Sequence, residues 1–137
     1  MRDICMERTI SGRCLCGASA HRTQAEPINI RVCHCKLCQR ATGAPFFARV
    51  LVPLDELEIS GPVRWHNSSP ELRRGFCGNC GSAMFSERTS KNVIGLSFGS
   101  LDEPDAFEPQ EHIWVSKKQA WLHFDDGLPV HEGPALT

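Results

Sequence analysis

Seven of the eight cysteines fall in three short clusters, and their spacing is the strongest chemical signal in the chain. Cys14-Leu15-Cys16 and Cys77-Gly78-Asn79-Cys80 are each followed by a glycine, Gly17 and Gly81. Each pair is half of a tetrahedral four-thiolate site. Zinc needs four sulfurs converging at about 2.3 Å, which one tight turn cannot supply and two turns brought together by folding can. The glycines can adopt positive φ, bending the chain around an ion and aiming backbone N–H groups at the sulfurs. A shell closed by Cys14, Cys16, Cys77 and Cys80 leaves no place for a substrate, so this cluster is expected to be a structural zinc site. Buried free thiols or a redox pair are the bland alternative, which two glycine-followed pairs disfavour.

Cys33-His34-Cys35-Lys36-Leu37-Cys38 places three more thiols where one metal can reach them all. Cys35 and Cys38 share a face of a first helical turn, and Cys33 enters from the end of a strand. Zinc held by Cys33, Cys35 and Cys38 keeps one open position, the arrangement of a catalytic or ligand-binding site, and a thiol arriving there is deprotonated and held. Lys36, Arg40 and Arg49 suit such an anionic cluster and could attract a carboxylate-bearing ligand, with solvated surface charge as the ordinary reading of each. Cys5 is the competing fourth ligand: folded back, it would close the site and make it inert. A redox role for Cys35 and Cys38 lacks the βαβ setting of thioredoxin-like motifs. His34, between two ligands, is expected to point away from the metal and to pack or hydrogen-bond. His21, His66, His112, His123 and His131 have no ligand spacing and read as surface or satisfied core residues.

The elements that must position these thiols are short strands: Thr9–Cys14, Ser19–Arg22, Ile28–Cys33, Phe46–Val52, Val63–His66, Leu72–Phe76, Ala83–Ser86, Val93–Phe98 and His112–Val115. Ser60-Gly61-Pro62, Asn67-Ser68-Ser69-Pro70 and Asp125-Asp126-Gly127 supply turns suited to antiparallel connections. Only Cys35–Ala41 reads as a helix, ended by Thr42-Gly43 with Pro45 behind it. The fold class is mainly β. Phe46, Phe47, Trp65, Phe76, Phe85, Phe98, Trp114, Trp121 and Phe124 are expected to fill the core.

A chain of 137 residues, 41% apolar, suits one domain, 1–137, with a buried core. Fifteen basic against sixteen acidic residues leave no overall field for a polyanion, so nucleic acid is not the expected partner. Met1–Ile10 carries charges where a secretory leader needs an apolar run, and no stretch is long enough to span a bilayer. A cytoplasmic protein whose cysteines bind metal instead of forming disulfides follows as the expectation. The sequence has no nucleophile elbow, no phosphate-binding glycine loop, and no H-x-E ahead of the C-x-x-C that a zinc nucleobase deaminase uses.

The motif order G-x-C-x-C-G at Gly12–Gly17, C-H-C-x-x-C-Q at Cys33–Gln39 with T-G-A-P-F after it, R-R-G-F-C-x-x-C-G at Arg73–Gly81 and G-S-L-D-E-P at Gly99–Pro104 resembles the glutathione-dependent formaldehyde-activating enzyme family, also called Gfa or centromere protein V-type. The tail from His112-Ile113-Trp114-Val115 to Asp125-Asp126-Gly127-Leu128-Pro129 is similar as well, so the likeness spans nearly the whole chain. It implies an Mss4-like fold, a β-tent of antiparallel sheets, with structural zinc at Cys14, Cys16, Cys77 and Cys80 and a second zinc at Cys33, Cys35 and Cys38. The implied activity is that of a carbon–sulfur lyase forming S-hydroxymethylglutathione from glutathione and formaldehyde, with glutathione or another small thiol as partner. The competing expectation is a non-catalytic zinc-binding scaffold that meets a protein partner, as the Mss4-type fold does with small GTPases.

Overall fold

The computed structural model describes residues 9–135. Ten strands form two sheets. β1 (Ile10–Arg13), β2 (Ala20–Thr23) and β5 (Glu58–Ser60) make a small antiparallel sheet in the order β1-β2-β5. The larger sheet runs β10-β3-β4-β9-β8-β7-β6, from β3 (Asn29–Cys33), β4 (Phe47–Pro53), β6 (Val63–Ser69), β7 (Leu72–Cys77), β8 (Ala83–Arg88), β9 (Val93–Ser97) and β10 (Glu111–Ile113). All its pairings are antiparallel except β10 with β3, which is parallel.

The central strands β4, β8 and β9 contribute Val50, Val52, Met84, Phe85, Ile94 and Leu96 to a largely aliphatic core, with Ile10, Ile30 and Leu101 packed on it. The expectation of an aromatic core holds for Phe47 and Phe85, which are buried, and in part for Trp65, Phe98 and Trp114, which are half-buried and packed against the core, and it fails for Trp121 and Phe46. Trp121 is 63% exposed and Phe46 lies at the surface. Trp121 sits in the irregular tail beyond β10, where its indole N–H donates to Gln119 Oε1 at 2.6 Å and no strand covers it.

Among the described residues one α-helix occurs, α1 (Lys36–Thr42), between β3 and β4. Cys35 is its N-cap, with Sγ accepting from the Cys38 backbone N–H at 3.3 Å, the place a serine or aspartate oxygen usually takes. Gly43 closes the other end at φ 69°, its N–H donating to Gln39 O. No helix of the described residues is long and apolar enough to cross a membrane.

Candidate functional site

The loop after β1 and the β7–β8 turn are built alike. Cys14 N–H donates to Ser19 O at 3.0 Å and Cys77 N–H to Ser82 O at 3.0 Å. Gly17 and Gly81 sit at φ 83° and 82°, closing each loop through N–H bonds to Cys14 O and Cys77 O. Such values are strained for any residue with a Cβ. The Sγ atoms of Cys14, Cys16, Cys77 and Cys80 consequently lie within 4.8 Å of one another. Tetrahedral zinc with sulfur at about 2.3 Å separates its sulfurs by about 3.8 Å. The separations of 3.6 Å for Cys14–Cys16 and 3.9 Å for Cys16–Cys77 fit that shell.

Donors surround the four sulfurs as they would a cluster of thiolates. Ser19 N–H reaches Cys14 Sγ at 3.3 Å, Asn79 N–H reaches Cys77 Sγ at 3.3 Å, and Asn79 Nδ2 reaches Cys16 Sγ at 3.2 Å. Ser82 Oγ lies 3.2 Å from Cys80 Sγ and, with the Ser82 and Cys16 backbone, pulls that thiol down to about 5. Gly12, on β1 just before this loop, lets the strand pass close to Ser100 and His21: a Cβ there would sit 2.2 Å from Ser100 O.

The second cluster stands at the end of β3, where the chain turns into α1. Cys33, Cys35 and Cys38 bring their sulfurs within 4.8 Å, and no fourth Cys, His, Asp or Glu of the described residues joins them. Cys5, the competing fourth ligand, lies outside the described residues. The Cys35 thiol is pushed down by hydrogen bonds from the Cys33 and Cys38 side chains and from the Cys38 backbone. Cys33 is pushed up by the same neighbours and by burial. Three soft donors on one short arc suit zinc or another thiophilic ion.

Two arginines face this cluster. Arg49, on β4, donates from Nη1 to Asn29 Oδ1 at 2.6 Å; burial and then the Arg31 charge push its pKa down to about 10, while Cys33 and Cys38 oppose that. It therefore departs from the solvated-surface reading. Arg74, to which the sequence reading gave no role, places Nη2 3.7 Å from Cys38 Sγ. Lys36 and Arg40, exposed on α1, come together with Gln39, Gly43 and Gln119 around a pocket of about 330 Å³ that does not include Arg49.

His34 turns away from the sulfurs. Its Nε2 lies 2.9 Å from His112 Nδ1, and His112 Nε2 lies 2.7 Å from Asp126 Oδ2. The His112 hydrogen bond holds Asp126 below the usual carboxylate range, so the ionised Asp126 accepts from His112 Nε2–H and His112 Nδ1 accepts from His34 Nε2–H. Phe124 stacks on His112 at 3.9 Å between ring centroids and on His34 at 5.5 Å. Burial lowers the His34 pKa to about 4, with the neighbouring His112 and Lys118 adding to it. Gln39 Nε2 then bridges His34 O at 2.8 Å and Lys117 O at 2.9 Å. The tail is thereby fastened over the back of the three-cysteine cluster. His66 and His123 are exposed, and His131 pairs with Glu111 at 2.8 Å.

Comparison with known proteins agrees with this geometry. The family described as glutathione-dependent formaldehyde-activating enzyme matches residues 9–117. An uncharacterized lyase of Schizosaccharomyces pombe is 29% identical over 113 residues, spanning 71% of this chain and 82% of the yeast protein. A crystal structure of a Rhodobacter sphaeroides protein shares the fold with a TM-score of 0.56 at 22% identity, covering 72% of this chain and 96% of that one.

Proposed function

The chain belongs to the glutathione-dependent formaldehyde-activating enzyme family, and on that premise we propose that it is a zinc-dependent carbon–sulfur lyase-type enzyme joining a small thiol of the glutathione class to a small aldehyde. Cys14, Cys16, Cys77 and Cys80 hold a structural zinc, and Cys33, Cys35 and Cys38 hold a second. Zinc bound by three thiolates keeps a position for one more ligand and favours a thiol there as its nucleophilic thiolate.

The contrast between four converging sulfurs in one cluster and three in the other carries this reading. Two cations, Arg49 and Arg74, stand beside the three. Lys36 and Arg40, one helical turn apart, offer the pocket beside α1 to the carboxylates of a peptide thiol. Arg49 donates to Asn29 and does not line that pocket. Phe47 and Trp114 pack against the cluster and limit water on that side. His34, His112 and Asp126 hold the backbone between Cys33 and Cys35 in place from behind.

Elemental analysis of the freshly purified protein, with and without excess glutathione, tests the proposal together with a glutathione titration. Two zinc ions and one bound glutathione per chain are expected. Cys35→Ser should keep the fold and one zinc and lose thiol binding. One zinc without thiol binding in the unaltered protein would sink the enzyme reading and favour the non-catalytic scaffold, whereas full adduct formation by Cys35→Ser would overturn the role given to the three-cysteine site.

A further inference from the structure

Arg73 and Arg74 are consecutive on β7, so their side chains leave opposite faces of the sheet. Arg73 is fully engaged: its guanidinium pairs with Glu87 Oε1 at 2.9 Å and lies 4.3 Å over the Trp65 ring. Arg74 has no carboxylate at ion-pair distance among the described residues. Its guanidinium lies 5.9 Å over the Phe47 ring, with Nε 3.4 Å from Ser68 Oγ and Nη2 3.7 Å from Cys38 Sγ. These contacts leave most of its five N–H donors unengaged.

The same side chain borders a cavity of about 120 Å³ walled by Thr42, Phe47, Gly81, Ala83 and Phe85. At about 30 Å³ per water, that space holds roughly four non-hydrogen atoms. It reaches from Ala41 and Thr42, at the end of α1, to Gly81, next to Cys80, and it adjoins a larger groove of about 720 Å³ that shares Thr42, Phe47 and Ala83 with it. Its aromatic and alanine walls offer little to compete with Arg74 for an anion. A half-buried cation without an acidic partner, facing a small and mostly apolar space beside a thiol cluster, is suited to a small oxyanion.

We propose that Arg74 and this cavity form an oxyanion site that seats the small carbonyl electrophile, an inference that rests on the thiol-adduct reading above. The carbonyl oxygen faces the guanidinium and its carbon faces the thiolate. The sulfur lone pair forms the new S–C bond, the C=O π pair moves onto oxygen, and Arg74 N–H groups meet the charge until water protonates the alkoxide. Redox state is unchanged, and no group leaves. Arg74 is thus a catalytic residue, while Arg73, its neighbour, is structural.

Formate, a planar anion of three non-hydrogen atoms, is the probe. Calorimetric titration of formate into the unaltered protein should give binding that weakens about 10- to 100-fold in Arg74→Gln, the effect of a lost charge-assisted hydrogen bond. Zinc content and glutathione affinity in that variant should stay within about threefold, while the rate of adduct formation falls on the order of 100- to 1000-fold. Arg74→Lys, which keeps the charge and loses the fork, should fall between and serves if Arg74→Gln does not fold. Formate binding that is absent from the unaltered protein, or equal in all three proteins, overturns the assignment of Arg74 whatever the turnover. Formate binding that depends on Arg74 in a protein that neither binds glutathione nor forms the adduct upholds the oxyanion site and overturns the thiol-adduct reading instead.

Discussion

Replacing Cys77 with serine removes one sulfur from a cluster that ties the loop after β1 to the β7–β8 turn, joining Cys16 and Cys77 across 61 positions. Holding two points of an unfolded chain that far apart restricts it by about 4 kcal/mol at the usual logarithmic dependence on loop length. The serine also leaves a hydroxyl at a fully buried position on β7, adding about 1–3 kcal/mol where no partner is found. Against a total stability on the order of 5–15 kcal/mol, these losses should lower the melting temperature by about 15 °C or more, or abolish folding. Cys33 to Cys38 spans only five positions, for which the same relation gives about 2 kcal/mol. Serine at Cys35 can still cap α1, so Cys35→Ser should shift the melt by only about 7 °C. Thermal melts of the two variants beside the unaltered protein, each with and without a zinc chelator, make the comparison. A native-like melt for Cys77→Ser, or equal shifts for the two, would refute the division into structural and reactive clusters.

His21 is buried with Nε2 on Ser100 Oγ at 3.0 Å, and desolvation lowers its pKa from 6.5 to about 4 against the opposing pull of Asp102. The unfolded chain therefore takes up the proton first as pH falls. Stability owed to the neutral ring is full above pH 6.5 and is lost as pH drops toward 4, by up to about 3 kcal/mol. Urea titrations across that window should show the slope in the unaltered protein and a shallower one in His21→Gln, where His34, also lowered to about 4, keeps its own share. Gly12→Ala drives a Cβ to 2.2 Å from Ser100 O and 2.6 Å from the His21 ring, and should lower the stability read from urea titration by about 1–3 kcal/mol. His112→Ala removes a stacked, buried ring and the acceptor of His34 Nε2, costing about 3 kcal/mol. Asp126→Ala should cost only about 1 kcal/mol because water can replace the exposed carboxylate, and equal losses for the two in denaturant titrations would contradict the relay's polarity.

Cysteine spacing made both clusters legible, because thiol pairs bent by glycine at Gly17 and Gly81 leave a signal that survives without any tertiary knowledge. Strand periodicity located the frame with small errors. The segment Asn67-Ser68-Ser69 reads as turn chemistry, yet β6 continues through Ser69 with an irregularity between Asn67 and Ser69, since pairing with β7 outweighs local preference. Glu58–Ser60 was missed because three residues at a sheet edge carry no alternation to detect. His112–Val115 was read one residue late at its start and two at its end: parallel pairing with β3 begins at Glu111, and Trp114 at φ 58° ends the strand. The relay from His34 to Asp126 and the position of Arg74 beside Cys38 join residues with 92 and 36 positions between them in the numbering. Such pairings arise from sheet order, which no local spacing records. The adjacent arginines of β7 did hold one usable clue, since period-two alternation sends one of them to each face.

The parallel seam between β3 and β10 has a consequence for how the protein is made. Arg31 and Glu111, paired across it, are 80 positions apart. A ribosome adding about 5–20 residues per second emits the Cys33–Cys38 segment roughly 4–16 s before the strand that covers its back. During that interval the nascent three-cysteine arc lacks both His112 and Phe124 behind it. The seam can close over the back of the arc only after the arc itself has left the ribosome.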